Sequence, residues 1–432
     1  MKSTRFSFES AAYYLSAAAV VSILFSIAIS NILLVLALIA LLISSQRLRF
    51  PPFWIPLAAF FAGTAISLAL SPDPSYGRPA LRKFFCFLIV LVVTSSVRTI
   101  PRVRSLLTVA AGVMALSGVW SLVQFAQKVA LARDLGRPFY VYYMQERITG
   151  FMSHWMTLGG QEMILILMAG SLLFFSGERR LKPWLAGAAA AIAVSIAAGY
   201  TRSIWLGTFV GAVYLVWYWK RWVLALIPVP VVLLLLLNPF AVRDRIQSAF
   251  QPHGDTDSNA FRVAVRRAGI RMIEAHPWFG LGPEQVKAHL KEWIPADVPR
   301  PLPTGWYGHT HNLYVQYAAE RGIPAMLALM WMLGKILYDF LRGLRRSGPD
   351  DGEARAILRG AVAMMLGILV VGYFEVNLGD SEVLILFLSV VSCGYVALEQ
   401  VGQAKAALPP WGESSCGVKV RPSITGAPYR RK

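Results

Sequence analysis

The chain has 432 residues, of which 56% are hydrophobic and only 15% are charged, and its mean hydropathy is +0.53. A soluble domain typically has about 25% charged residues, so this chain has too few to cover a water-facing surface. The net charge is +19, but no basic stretch alternates with aromatic residues in a nucleic-acid pattern, so we expect Lys and Arg to face anionic lipid. The composition argues against a soluble enzyme, a disordered protein and a fibrous protein, and it predicts an all-α polytopic membrane protein without a nucleic-acid partner.

Long apolar runs predict about twelve transmembrane helices, because one span needs roughly 20 apolar residues. The first two runs are separated only by Ser30-Asn31. Lys2 and Arg5 precede the first run and no small-residue cleavage site follows it, which favours a retained first helix over a signal peptide. The predicted spans lie near residues 11–29, 31–45, 54–70, 84–97, 105–126, 161–176, 184–200, 203–219, 222–240, 322–341, 357–374 and 381–398.

Basic residues predict the orientation, because short cytoplasmic loops are enriched in Lys and Arg. An even number of spans puts both termini on one side, and Lys2 and Arg5 assign that side to the cytoplasm. Every second loop is then basic, which supports the count of spans. The clusters are Arg47 and Arg49; Arg98, Arg102 and Arg104; Arg179, Arg180 and Lys182; Lys220 and Arg221; and Arg342, Arg345 and Arg346.

This count divides the chain into four parts. Residues 1–240 hold helices one to nine, with an extracytoplasmic segment near 127–160. Residues 241–321 form a large helical extracytoplasmic loop between helices nine and ten, and only this stretch has room for a folded lobe. Residues 322–398 hold helices ten to twelve, and residues 399–432 form a basic cytoplasmic tail that reads as disordered.

The large loop contains an amphipathic helix over residues 259–275. Phe261, Val265, Ala268 and Met272 recur at helical spacing, and Arg262 and Arg266 share another face because they are four residues apart. His276-Pro277 ends this helix, a Gly-rich turn follows, and a polar helix is predicted from about residue 284 to 293. A Pro-rich stretch follows this helix and leads to Trp306–Tyr314.

His309-Thr310-His311-Asn312 is the most chemically capable short stretch beside a membrane boundary. Histidine exchanges a proton near neutral pH, and Asn312 can orient a substrate hydroxyl or cap the following helix. The alternative interpretation is that both histidines are interfacial residues that cap this helix. A metal site needs further ligands, and His253, His276 and His289 form no recognised ligand spacing, so we expect no metal.

Other ionisable residues fall at the same side of the predicted bundle. Arg202 lies between two apolar runs, where arginine is costly unless it is paired or faces a polar cavity; the alternative is ordinary snorkelling. Glu375, Asn377 and Asp380 lie in the turn before the last span and could pair with Arg202, Arg262 or His311, or mark a solvated turn. Arg147 and His154 are weaker candidates. Several arginines here would form an anion site, because the guanidinium binds phosphate through two N–H groups, and a histidine beside them would stay neutral.

Four stretches resemble the O-antigen ligase and polymerase superfamily. HTHNLYVQYAAERG (309–322) is similar to its signature, a His-Asn pair followed by a helix that ends in Glu-x-Gly. GIRMIEAHPWFGLGPEQV (269–286) resembles the segment before that histidine, TRSIWLG (201–207) resembles the arginine-bearing turn that opens a middle helix, and RITGFM (147–152) resembles an Arg-x-x-Gly element. About twelve spans with a large loop between the ninth and tenth also fit the superfamily.

The resemblance implies a GT-C-like glycosyltransferase that works at the periplasmic face of the bacterial inner membrane. Its donor would be O-antigen on undecaprenyl pyrophosphate, its acceptor a hydroxyl of the lipid A core, and it would use no cofactor, metal or ATP. By the same resemblance His311 is the catalytic histidine, and Arg262 and Arg202 hold the pyrophosphate. The substrate-binding residues implied in addition are Arg266, as the reserve for Arg262, together with His309, Asn312, Arg147, Asp380 and Tyr314.

Three other functions remain open. A polymerase of the same superfamily would transfer glycan onto another polyprenyl-linked glycan, and a protein O-oligosaccharyltransferase would glycosylate Ser or Thr. A flippase or transporter of lipid-linked glycans is the alternative from a different class. That class usually has internal symmetry, which the sequence does not show, and places its charges in mid-membrane rather than at one edge.

Overall fold

The structure is a computed structural model that describes residues 7–44, 46–238, 242–248, 250, 259–303 and 305–406. Lys2, Arg5, His253 and the tail beyond residue 406 lie outside the described residues. All regular elements within those ranges are helical, so the predicted all-α class is confirmed for this part of the chain.

The helices follow the apolar runs of the sequence, with short helices between them. The α-helices are α1 (Phe8–Ser22), α2 (Ile27–Ile43), α3 (Trp54–Ala69), α4 (Pro74–Gly77), α5 (Pro79–Arg82), α6 (Leu88–Ser96), α7 (Ile100–Asp134), α8 (Phe139–Gln145), α9 (Trp155–Phe175), α10 (Lys182–Ala198), α11 (Arg202–Lys220), α12 (Pro228–Leu237), α13 (Val242–Gln247), α14 (Asn259–Ala275), α15 (Gln285–His289), α16 (Leu313–Arg346), α17 (Gly352–Gly372) and α18 (Ser381–Ala406). Short 3₁₀ turns at Lys83–Phe87, Arg179–Leu181, Arg221–Leu226, Pro349–Asp351 and Asn377–Gly379 connect some of them.

Seven helical passages in the described ranges are long and apolar enough to cross a membrane. The apolar helices α2 and α3 are shorter. The chain is therefore a multi-pass membrane protein, while the predicted total of twelve spans stays a prediction. The seven passages are Pro74–Ser96, Ile100–Asp134, Trp155–Phe175, Arg179–Ala198, Leu313–Arg346, Gly352–Gly372 and Ser381–Val401.

The first helix boundary differs from the predicted one. The chain leaves α1 at Ser22 and enters α2 at Ile27, so Ser30 and Asn31 lie inside α2. Ser26 begins α2, because its extended backbone lets the side-chain oxygen accept a hydrogen bond from Ile29 N at 3.3 Å. Ser30 does not interrupt α2, because its hydroxyl donates a hydrogen bond to Ala19 O at 2.8 Å. The polar pair Ser30-Asn31 therefore does not mark the boundary between the helices.

The extracytoplasmic segment predicted over residues 127–160 is shorter in the structure, because two long helices extend into it. Helix α7 continues to Asp134 and α9 already begins at Trp155, so residues 135–154 remain between them, including α8. Gln161 and Glu162, near the start of α9, are both buried inside the bundle. Gln161 Nε2 donates to Ile23 O at 3.0 Å, so neighbouring helices supply its partner and polar residues do not end the helix.

The bundle and the large loop have separate hydrophobic cores. Helices α9, α17 and α18 are the most enclosed of the membrane-crossing passages, and α17 packs against α9, α11, α16 and α18. The loop builds a smaller core from α14, α15 and the chain between them, and Ala319 of α16 also contributes to it. The loop is therefore a folded lobe that is anchored on the first turns of α16.

Helix α16 joins the lobe to the bundle through a kink at Gly322. The sequence placed residues 313–321 in the loop, but the structure includes them in α16, and only Gly322 has non-helical dihedrals (φ 82°, ψ 163°). The chain after α14 crosses this kink and hydrogen-bonds to it: Leu281 N donates to Ala319 O at 2.9 Å, and Ile323 N donates to Pro277 O at 2.8 Å. Pro324, which lacks an N–H, follows where the hydrogen bonds along the helix are already interrupted.

Replacing Gly322 with alanine is expected to destabilise the protein by more than 2 kcal/mol in order of magnitude, about 1–3 kcal/mol of which comes from the left-handed backbone alone. An added Cβ would also lie 2.1 Å from Trp278 O, which cannot move without breaking the crossing. Thermal unfolding of the purified protein in detergent measures this loss. Gly334→Ala in the same helix is the control, because its Cβ would meet nothing within 4 Å; equal melting temperatures for the two variants would refute the argument.

Candidate functional site

The amphipathic helix of the loop forms over the predicted residues. Helix α14 runs from Asn259 to Ala275, and its apolar face is buried, with Phe261, Val265 and Met272 each at most 3% exposed. His276 and Pro277 follow the helix, as predicted. Burial of this face against the lobe turns the opposite side of the first two turns, which carries Arg262 and Arg266, toward the end of α17.

The His-Asn pair lies at the beginning of α16. Asn312 is the N-cap: its Oδ1 accepts from Val315 N at 2.9 Å, and its Nδ2 donates to Tyr373 O, also at 2.9 Å. Asn312 therefore ties the start of α16 to the end of α17. Thr310 N donates to Gln316 Oε1 at 2.9 Å, and His311 has a left-handed backbone (φ 50°). These bonds fix the backbone on both sides of the His311 ring.

A buried carboxylate joins His311 to Arg262, two of the three residues predicted to be catalytic. Glu375, in the turn after α17, accepts a hydrogen bond from His311 Nδ1 at 2.9 Å through one oxygen and binds the Arg262 guanidinium through the other. Burial opposes ionisation of Glu375, but the Arg262 guanidinium and the hydrogen bond from His311 outweigh it and lower the pKa of this carboxyl to about 2. Glu375 is therefore an anion at neutral pH, and it orients both partners.

The hydrogen bonds give the two histidines different roles. Because Nδ1 of His311 donates to a carboxylate, a neutral His311 ring keeps its lone pair on Nε2. His309 is the reverse case: its Nδ1 accepts from His311 N at 3.1 Å, so its proton is on Nε2. Burial and the neighbouring His311 lower the pKa of His309 to about 3, which keeps this ring neutral. The Nε2 atom of His311 can therefore accept a proton, whereas the Nε2–H of His309 can only donate a hydrogen bond.

Two further predicted arginines of the site, Arg202 and Arg266, have different surroundings. Arg202, the first residue of α11, donates to Asn259 Oδ1 at 2.8 Å and to Ser248 Oγ at 3.2 Å. These bonds hold Asn259, the first residue of α14, which lies about one helical turn before Arg262. Arg266 stacks on the Tyr373 ring, with 4.9 Å from its guanidinium carbon to the ring centroid, and donates to Tyr373 O.

Arg147 reaches the same region from the segment between α8 and α9. Its guanidinium lies 5.3 Å from the centroid of the Trp155 ring, and it contacts the Met144 sulphur at 3.6 Å. Burial, together with Arg245 and Arg262 nearby, lowers the pKa of Arg147 to about 9. A cation that is destabilised in this way favours an incoming anion.

The last two predicted binding residues make structural contacts. Tyr314 OH donates to Leu369 O at 2.7 Å, which fastens α16 to α17. Asp380 accepts from Thr157 Oγ1 and from Glu382 N, the latter at 3.2 Å, so it caps the start of α18 and links it to α9. Asp380 nevertheless lines a cavity to which His309 also contributes.

That cavity has a volume of about 280 Å³ and opens beside the histidine pair. His154, Trp306, His309, Glu375 and Asp380 are among its lining residues. His154, a weaker candidate from the sequence, belongs to the site, and burial lowers its pKa. Trp306 holds His309 in an edge-to-face contact with 5.1 Å between ring centroids.

Sequence reasoning could not assign the separate contacts of the acidic residues in the last turn. It named Glu375 as a possible partner of Arg262 or His311 but chose Asp380 as the site residue. The structure pairs Glu375 with both. The sequence signal was an acid at the edge of an apolar span, and the two residues share it: Glu375 directly follows one predicted span and Asp380 directly precedes the next.

His309, His311 and Glu375 bring three potential metal ligands within 4.8 Å of one another. Both carboxylate oxygens, however, already accept hydrogen bonds, one from Arg262 and one from His311. Arg147 and Arg262 add positive charge close by, which opposes a divalent cation and favours an anion. The donor set thus fits an anionic substrate better than a metal.

Replacing Glu375 with glutamine is expected to lower stability by an amount that depends on pH. The folded-state pKa lies below the ordinary value of 4.5, so the carboxylate stabilises the fold fully above about pH 4.5 and loses this effect as the pH falls toward about 2. Melting temperatures of wild type and Glu375→Gln should differ by a constant amount between pH 6 and 8 and converge below about pH 4. A difference that is the same at pH 3 and pH 7 would contradict an ionised Glu375.

The fold and site define a multi-pass membrane protein with a buried Arg-Glu-His arrangement under a folded lobe at one end of the bundle. Residues 187–330 match the family model Wzy_C, described as O-Antigen ligase. This match confirms the resemblance to the O-antigen ligase and polymerase superfamily, whose members are membrane enzymes of the glycosyltransferase kind. The matched segment contains Arg202, Arg262 and His311, whereas Arg147 and Glu375 lie outside it. No curated protein matches the chain.

Proposed function

We propose that this protein is an O-antigen ligase. It transfers the glycan from undecaprenyl pyrophosphate to a hydroxyl of the lipid A core. The observation that carries the proposal is the pair of contacts on Glu375, which set a proton-accepting imidazole beside a guanidinium in a buried site. Those two groups are what the transfer needs: a base for the attacking hydroxyl and a cation for the leaving pyrophosphate.

In the proposed reaction, His311 Nε2 takes the proton from the acceptor hydroxyl while the hydroxyl oxygen attacks the anomeric carbon of the donor. A new C–O bond forms, and the bond from the anomeric carbon to the pyrophosphate oxygen breaks with its electron pair. Ionised Glu375 stabilises the imidazolium that forms on His311. Because a single acceptor attacks from the face opposite to the leaving group, the configuration at the anomeric carbon inverts.

The arginines have separate tasks in this proposal. Arg262 uses one N–H group for Glu375 and offers the others to the pyrophosphate as its charge grows. Arg202 is retained as a pyrophosphate-holding residue and also positions α14 through Asn259. Arg266 and Arg147 add positive charge at the edge of the same site. Since the pyrophosphate is already a good leaving group, the transfer draws on no ATP, and the guanidinium groups supply the charge that a metal would otherwise provide.

The proposed setting is the bacterial inner membrane with the site at the periplasmic face. Lys and Arg cluster at the opposite end of the helices, for example Arg345 and Arg346 at the end of α16, which supports this orientation. Both termini are then cytoplasmic. Donor and acceptor are both lipids, so each enters from the bilayer between helices.

One reconstitution tests the proposal against its rivals. The purified protein is placed in lipid vesicles with undecaprenyl-pyrophosphate glycan, lipid A core and a peptide that contains Ser and Thr, with EDTA and without ATP, and the products are analysed by mass spectrometry. The ligase predicts glycan covalently attached to the lipid A core. Lengthened polyprenyl-linked glycan would establish a polymerase, a glycosylated Ser or Thr peptide would establish a protein O-oligosaccharyltransferase, and unaltered donor moved across a vesicle membrane would establish a flippase.

A further inference from the structure

A second polar cavity lies at the end of the bundle opposite to the His311 site. Helix α16 begins beside His311 and runs for 34 residues to Arg346, so about 50 Å separate its two ends. At the far end, α16 and α18 border a cavity of about 540 Å³. Arg342, Arg346 and Leu398 line it, and no residue of the His311 site contributes to it.

The cations of this cavity lie on one face of α16. Lys335, Asp339, Arg342 and Arg346 are spaced by four, three and four residues, which places them on the same side of a helix. Asp339 is the only acid among the lining residues, and it is already engaged: Lys335 Nζ binds both of its carboxylate oxygens at 2.6 Å.

Two guanidinium groups are left in the cavity without a counter-charge. Tyr395 OH also donates to Asp339 Oδ2 at 2.9 Å, and the single negative charge of Asp339 is already balanced by Lys335. Among the residues that the structure describes, neither Arg342 nor Arg346 is in an ion pair. An arginine near a bilayer that is not paired attracts an anion, and its planar fork fits phosphate oxygens.

Part of the cavity wall is apolar. Leu398 and Val401 of α18 line it, and Leu398 approaches Gly343 so closely that an added Cβ there would lie 2.4 Å from Leu398 Cδ1. A cationic rim beside an apolar wall at the end of membrane helices matches an anionic headgroup with acyl chains attached. The basic segment 407–432 is a poor occupant, because it carries Lys419, Arg421 and three further cations at its end.

We propose that this cavity binds an anionic phospholipid, with the headgroup phosphate on Arg342 and Arg346 and an acyl chain along Leu398 and Val401. The site is independent of the transfer chemistry and holds a structural lipid where α16 and α18 meet. Lys335 and Asp339 keep the inner end of the cavity neutral as a pair, so the negative charge of the ligand is taken up by the two outer arginines.

The full-length protein in detergent is titrated with phosphatidylglycerol or phosphatidylcholine, and bound lipid is counted by native mass spectrometry. Since one Lys or Arg near an anionic lipid contributes about 1 kcal/mol, Arg342→Gln and Arg346→Gln should each weaken phosphatidylglycerol binding about fivefold, and the double variant about thirtyfold. Phosphatidylcholine should bind more weakly than phosphatidylglycerol and should not respond to these changes.

Arg345→Gln is the matched control, because it removes the same charge from the same helix but does not line the cavity. It should bind phosphatidylglycerol as wild type does. A loss equal to that of Arg342→Gln would show general surface attraction and overturn the site. Inorganic phosphate or glycerophosphoglycerol that competes as well as the intact lipid would overturn the acyl-chain assignment. If the double variant does not fold, the two single variants decide the question.

Discussion

Replacing His311 with alanine is expected to reduce the rate of glycan transfer by about 10²–10⁴-fold, the usual contribution of a general base. The residue is partly buried, and its Nδ1 donates to Glu375. The variant therefore loses Nε2, the ring nitrogen whose lone pair would accept the proton. The backbone should not change, since Asn312 holds the start of α16 independently. Product formation per minute from undecaprenyl-pyrophosphate glycan measures the loss, at equal amounts of folded protein.

Two other histidines serve as controls for this experiment. His289→Ala removes an exposed ring that pairs only with Glu292, and it should retain wild-type rates. His309→Asn keeps an oxygen that can accept from His311 N but removes the Nε2 proton, so it should be impaired less than His311→Ala. Normal transfer by a folded His311→Ala protein, or a greater loss in His309→Asn, would contradict the assignment of His311 as the base.

Replacing Arg262 with lysine is expected to lower transfer by about 10²–10³-fold, the typical cost of losing one donor that stabilises transition-state charge. A lysine keeps the charge, but its compact ammonium cannot bind Glu375 and a phosphate oxygen at the same time as the planar guanidinium can. Initial rates at several donor concentrations measure the effect. The reduction should be in kcat as well as in kcat/KM, because the interaction strengthens as the leaving group develops charge.

Arg267→Lys is the control on the same helix, since Arg267 is exposed and pairs with Asp297 at 2.8 Å; it should transfer normally. A double-mutant cycle with Glu375→Gln separates two routes by which Arg262 could act. If Arg262 only positions Glu375, the double variant should be no worse than Glu375→Gln alone. A further loss in the double variant supports direct contact with the pyrophosphate, and free substitution of Arg262 by lysine would show that charge alone is sufficient.

The composition was enough to predict the class of the protein, because the deficit of charged residues is a property of the whole chain and needs no contact. Helix α14 was predictable for a similar reason: its apolar residues recur at helical spacing, and burial of that face follows. The resemblance to the superfamily was also accessible, since the stretches that carry it are local and the matched segment 187–330 contains most of them.

Glu375 shows what local patterns could not decide. It is 64 residues from His311 and 113 from Arg262 in sequence, and the turn that carries it offers Asp380 as an equal candidate. Only the packing of α14, α16 and α17 brings the three side chains together. The same packing determines which nitrogen of each histidine carries the proton, because that follows from the acceptor beside it.

The sequence by itself determined a membrane-embedded helical chain, an amphipathic helix in a large loop, and a set of arginines and histidines near one end. These follow from hydrophobicity and periodicity, which act over a few neighbouring residues. The tertiary structure alone decided that α16 continues through Gly322, that Glu375 rather than Asp380 joins His311 to Arg262, and that Arg342 and Arg346, which form no ion pair with the described residues, face a cavity at the far end. Such arrangements depend on contacts between distant segments, where the energy of a buried charge is set by which partner the fold brings within hydrogen-bond distance.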